Sequence, residues 1–263
     1  MYKLRGCKMN STNLKHYISN LPIGTVGNSA FESREQEFVS SVNIENLPDG
    51  IVTGSNLVQF TQNQSPKLRS SIALCLLAAQ RVADNDQVIT SPDEWLARHS
   101  SVLRGLNWVV EKEGVIHSEY DTFNVAVHEA IIPFITAALG PAAAVGSLII
   151  TALEQLKTME EESKWITLFD KESRRFNVSE FQFSVAETEG DHTRLNMVAA
   201  RFDAAFGKTQ ILFFRIKDAE TKFHAHNQSF LINSELLSAM NVELKVKLRS
   251  QTARYIQSLD VGS

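Results

Sequence analysis

No catalytic spacing stands out in this sequence. There is no Gly-x-Ser-x-Gly elbow and no glycine-rich phosphate loop, because Gly50 and Gly54 do not form one. His128-Glu129 opens like a zinc-protease helix, but Ile132 stands where the second histidine should be. Disulfides are excluded as a framework: two cysteines, Cys7 and Cys75, are too few. Cys75 lies in the apolar run SSIALCLLAAQ and reads as a small buried hydrophobe. A strong charge of either sign is also missing. The net charge of −4 argues against general nucleic-acid binding, which would want a basic face. Lys3, Arg5 and Lys8 are followed by no apolar stretch of signal-peptide length. The expected location is the cytoplasm, with non-classical secretion as the alternative.

What is present is an ordinary globular composition, 43% apolar and 21% charged. A chain of 263 residues suits one large domain, and we read 1–263 as one, with sub-regions 35–175 and 176–263. Residues 1–34 read as irregular. Short strands are expected in 37–62, around the turn Pro48-Asp49-Gly50. Ser65-Pro66 opens a helix that stops at Asp84-Asn85-Asp86. Ser91-Pro92-Asp93-Glu94 is a capping box, and Trp95, Leu96, Val102, Leu103, Leu106 and Val109 share a face of a helix that Gly114 ends. A third helix covers 123–139. A fourth runs from 142 to 169, supported by Glu160 and Lys164 at i,i+4.

From about 176 the apolar period changes to two. FNVSEFQFSVAET, TRLNMVAARFDAAF, KTQILFFRIK and TKFHAHNQSFLI predict an antiparallel meander with one face buried. Leu237, Met240, Leu244, Leu248, Tyr255 and Leu259 predict one closing amphipathic helix, although VELKVKL also alternates like a strand. The fold class is therefore α+β: N-terminal strands, a helical middle with an apolar hairpin, and a C-terminal meander closed by a helix.

The functional question centres on AIIPFITAALGPAAAVGSLIITAL, residues 130–153, which carries no charge. Pro133 and Gly140-Pro141 interrupt it. Each half reaches only about 17 Å at 1.5 Å per residue, short of a ~30 Å hydrocarbon core. Three readings follow: a buried core hairpin, a sheltered hairpin that later inserts, and a permanent span. The residues that decide among them are Ile131, Ile132, Phe134, Ile135, Leu139, Gly140, Pro141, Val145, Leu148, Ile149 and Ile150.

Other clusters read more plainly. His224 and His226 share a strand face with Lys222 and Gln228, which suits a solvated face better than a metal, and no third ligand, such as His192, follows from sequence. No cofactor and no metal are expected. Trp95, Trp108 and Trp165 read as packing residues on helices. The basic stretch Glu243–Arg254 reads as a solvated helix face.

The segment KTQILFFRIKDAETKFHAHNQSFLINSELLSAMNVELKVKLRSQTARYIQSL, residues 208–259, resembles part of the MakC and MakD accessory proteins, which are encoded with a tripartite helical pore-forming toxin. The points of similarity are the strand TQILFFRIK, a short turn, a second strand and a closing amphipathic helix. The resemblance implies a non-enzymatic helper that supports production or secretion of toxin subunits by binding other proteins. A membrane-active toxin component that inserts 130–153 is the alternative.

Overall fold

The computed structural model describes residues 11–24, 42–118, 125–139, 147–155, 163–176, 178–203 and 222–259. Helix α1 (Ser11–Ser19) forms where the sequence read as irregular, burying Leu14 and Ile18. Of the strands expected in 37–62, two are found, β1 (Gly50–Thr53) and β2 (Asn56–Phe60), joined by a tight turn. Gly54 has φ of +56°, and a Cβ there would meet the Gln80 side-chain oxygen at 1.9 Å. Only glycine lets the turn sit so close to the next helix.

That helix is α2 (Pro66–Asp84), capped as expected by Ser65 with Pro66 in its first turn. It is buried nearly all round, Cys75 included. Next comes α3 (Pro92–Gly105), whose Leu96, Val102 and Leu103 are buried as expected. The Ser91 hydroxyl accepts from Glu94 N–H at 3.3 Å, while Glu94 reaches back to Thr90 N–H at 2.8 Å.

The expected end at Gly114 is wrong. Asn107 takes a left-handed conformation, φ 66°, and Trp108 N–H bonds the Leu103 carbonyl at 3.0 Å. This closes a Schellman motif and releases residues 109–118 as strand β3 (Val109–Ser118). Val109 is therefore exposed rather than on the helix face.

The apolar region forms α4 (Val127–Leu139) and α5 (Ser147–Gln155). The continuous helix expected over 142–169 does not form. Ser163 is non-helical, with ψ of 131°, and opens α6 (Lys164–Glu172). The two-residue β4 (Arg174–Arg175) leads into β5 (Val178–Glu189), and Gly190 turns the chain into β6 (His192–Asp203). The strand expected at 208–217 lies outside the described residues, as does Glu160. Strand β7 (Lys222–Asn233) follows.

The single closing helix divides into α7 (Ser234–Ala239), α8 (Asn241–Leu248) and α9 (Thr252–Tyr255), and the chain then becomes β8 (Ile256–Ser258). Helix wins over strand at VELKVKL because Leu244 and Leu248 are both buried one turn apart.

The described strands form one eight-stranded sheet in the order β3-β7-β6-β5-β2-β1-β8, with β4 beside β5. All described pairs are antiparallel except β2 with β5. One core lies between the sheet and α1, α2, α3, α7 and α8. A second lies between the opposite face and α4, α5 and α6. The mixed α+β architecture predicted from the sequence is what forms.

Candidate functional site

The apolar pair α4–α5 is built into the second core. Ile131, Ile135 and Ile149 are fully buried and Phe134 nearly so. Phe134 packs on Phe223 of β7 with ring centroids 3.9 Å apart, and Phe223 meets Phe202 of β6 edge-on at 4.7 Å. Phe169 of α6 contacts Phe181 and Phe183 of β5.

The outward rows are also short of charge. Ile132, Leu148 and Ile150 are half-buried, and Pro133, Thr136 and Ala137 are exposed. Leu139 ends α4, while Gly140, Pro141 and Val145 lie outside the described residues. Helix α5 is tied to the sheet by one side chain. The Gln59 amide oxygen accepts from the Leu148 and Ile149 N–H groups at 3.0 and 3.4 Å. Such first-turn donors have no partner inside their own helix. No helix among the described residues is long and apolar enough to cross a membrane.

The central strands have two unlike faces. Alternation and register put Phe181, Phe183, Val185, Val198, Ala200, Phe202, Phe223 and Ala225 under the apolar pair. The other face is apolar at Leu195, Met197 and Phe230, and carries Glu180, Gln182 and Ser184 of β5, Arg201 of β6, and His224, His226 and Gln228 of β7. His224 and His226 are half-buried at one end of this face, beside the start of α3. Asp93 pairs with Arg201 at 2.7 Å and lies 3.9 Å from His226, and the Ser100 hydroxyl donates to Gln228 at 2.8 Å. Glu180, Gln182, Ser184 and Asn56 are all at most 3% exposed. Among the described residues, Glu180 Oε2, Gln182 Nε2, Ser184 Oγ, Asn56 Oδ1 and both His99 ring nitrogens have no hydrogen-bond partner. Burying such atoms without a partner costs free energy.

Next to it, a charged clasp joins both helical layers. Arg175 of β4 donates to Asp84 of α2 at 2.9 Å and to Ser55 at 3.3 Å, and stacks over Trp95 of α3 at 4.0 Å. Arg81 of α2 bonds Asp84 and Glu172 of α6 and lies over Tyr255. Burial alone would raise the Asp84 carboxyl, but Arg175 and Arg81 outweigh it and hold it below its usual range. Burial raises Glu172 despite Arg81. Burial likewise pushes Glu180 up to about 7, against Arg175 and Arg201. His99 is driven down to about 3 by burial and then by Arg175.

None of this clasp was found from sequence, since its members lie on five separate elements. His192 stands on the opposite sheet face from His224 and cannot complete a metal site with it. No metal-binding cluster occurs among the described residues. A cavity of about 270 Å³ at the far end of the sheet is lined by Glu187, Glu189, His192, Arg194 and Leu231. Arg194 is already engaged there by Glu111 at 2.8 Å.

No family model matches the chain, and no curated protein matches it. Among solved structures it is similar to the activated Cyt2Ba monomer from Bacillus thuringiensis subsp. israelensis, with 16% identity over 66% of this chain and 94% of that one, TM-score 0.37. It is also similar to the Evf virulence factor, with 10% identity over 78% of this chain and 84% of the other, TM-score 0.32. These likenesses name other proteins than MakC and MakD, and one of them is named a virulence factor.

Proposed function

We propose that this chain is a non-enzymatic, membrane-active component of a bacterial toxin system. The setting is the one implied by the resemblance of residues 208–259. One observation carries the membrane reading: strands β5, β6 and β7 have an aromatic face on one side, while the other, apolar around Leu195, Met197 and Phe230, carries a buried and incompletely paired polar patch around Glu180, Gln182 and Ser184. Each strand has 12 residues, and a strand needs about 9–11 to cross a bilayer. Apolar residues alternating with polar ones are what a sheet between lipid and water requires. The α4–α5 pair, whose helices extend only about 20 and 14 Å, suits a surface-lying element rather than a spanning one.

The test is dye release and co-flotation with liposomes. For the sheet to enter a bilayer, the α3 layer must open from it. Wild type should leak the liposomes, and Glu180→Leu with Gln182→Leu, which removes the polar patch, should not while circular dichroism shows it folded. No leakage by wild type, or full leakage by the folded variant, sinks the reading. A second reading, an accessory protein that binds toxin subunits, is favoured by Val242 and Val246, exposed by 62% and 74% one turn apart on α8. It predicts no leakage and a stable complex that Val242→Glu weakens.

A further inference from the structure

We infer that Glu180 of β5 and His99 of α3 are opposed proton switches that set how firmly the α2–α3 layer is held on the sheet. This rests on the proposed opening of that layer. Glu180 lies under the start of α3, and His99 lies on α3 beside Trp95, Asp84 and Arg175 of β4. Glu180 is 3% exposed and His99 1%, and each has atoms without a hydrogen-bond partner among the described residues. They share Arg175, whose guanidinium acts on both. Glu180 also faces Arg201 of β6 and Asp93 of α3, with His224 of β7 beyond Arg201 and His226 beside Asp93. His99 also faces Asp84 of α2 and stacks on Trp95, and behind Asp84 stand Arg81 and Glu172.

The two titrations act in opposite directions. Closed, Glu180 holds its proton to about 7, and hydration on opening returns it towards its ordinary 4.5. Its contribution to closure is full below 4.5 and is lost as pH rises to 7. Closed, His99 stays neutral down to about 3, and opening returns it towards 6.5. Its contribution is full above 6.5 and is lost as pH falls to 3. Each slope is about tenfold in the opening equilibrium per pH unit. Between 4.5 and 6.5 the slopes cancel. The wild-type layer is therefore held evenly through mild acid and loosens below 4.5.

The measurement is hydrogen exchange of the α3 amides, corrected for intrinsic rates, without lipid, from pH 4 to 8. The α4 amides are the reference. Wild type should be flat from 6.5 to 4.5. In Glu180→Gln, opening should rise about tenfold per unit of falling pH, roughly a hundredfold across that window. His99→Gln should show the reverse slope. Superimposable wild-type and Glu180→Gln profiles would falsify the inference. So would equal changes in α4, which would make the groups sensors of the whole fold, or a response that disappears only in His226→Gln. A pH response without liposome leakage leaves the switch standing and removes the membrane reading. Leakage with no such response does the opposite.

Discussion

Cys75 shows how a single residue is fixed by its surroundings. It is fully buried, and burial pushes its pKa up to about 12. Only the thiolate reacts. Thiol reagents should leave Cys75 unmodified in the native protein and modify it at the rate of unfolding. Replacing Ile135 or Ile149 with Asp puts an unpaired carboxylate at a fully buried position. That costs several kcal/mol of the ~5–15 available, so thermal melting should show no folded transition. Burial of these residues was legible from a run without charges. The role of Gln59 was not, because a strand amide that holds a helix nearly ninety residues later leaves no local mark.

Helices with local start signals were the elements most legible in the sequence. Ser65-Pro66 and Ser91-Pro92 fix α2 and α3 by contacts within four residues. Ser91→Ala should lower stability by about 1 kcal/mol in denaturant titration, since the Glu94 N–H loses its acceptor. Strand β3 was missed because one backbone conformation at Asn107 ends the helix nine residues before Gly114. Asn107→Gly should therefore keep or raise the melting temperature, and Asn107→Val should lower it. The closing helix was misjudged because its apolar stripe continues across breaks at Met240 and Gln251, where the core and not the helix keeps the period.

For the whole molecule, the α+β class was legible from the segregation of helical and alternating segments. The parallel pairing of β2 with β5 and the two-faced sheet were not, because they depend on contacts between distant parts of the chain. Asp84 ties α2, α3 and β4 together. Its depressed pKa means that its contribution is present above its ordinary 3.8 and is lost as pH falls through the folded value. Asp84→Asn should cost about 2 kcal/mol at neutral pH, reduced because water reaches a fifth of the side chain. It should also flatten the fall in melting temperature below pH 4.

The pairing of β8 with β1 has a consequence in time. Ile51–Thr53 bond to Ile256–Ser258, roughly two hundred residues later in the chain. During synthesis the β1 edge waits open until almost all of the described strands have left the ribosome. The sheet therefore cannot close until Ile256–Ser258 has been made, and a nascent chain offers a bare strand edge until then. A holdase, or a partner that lends a strand, has its longest opportunity there.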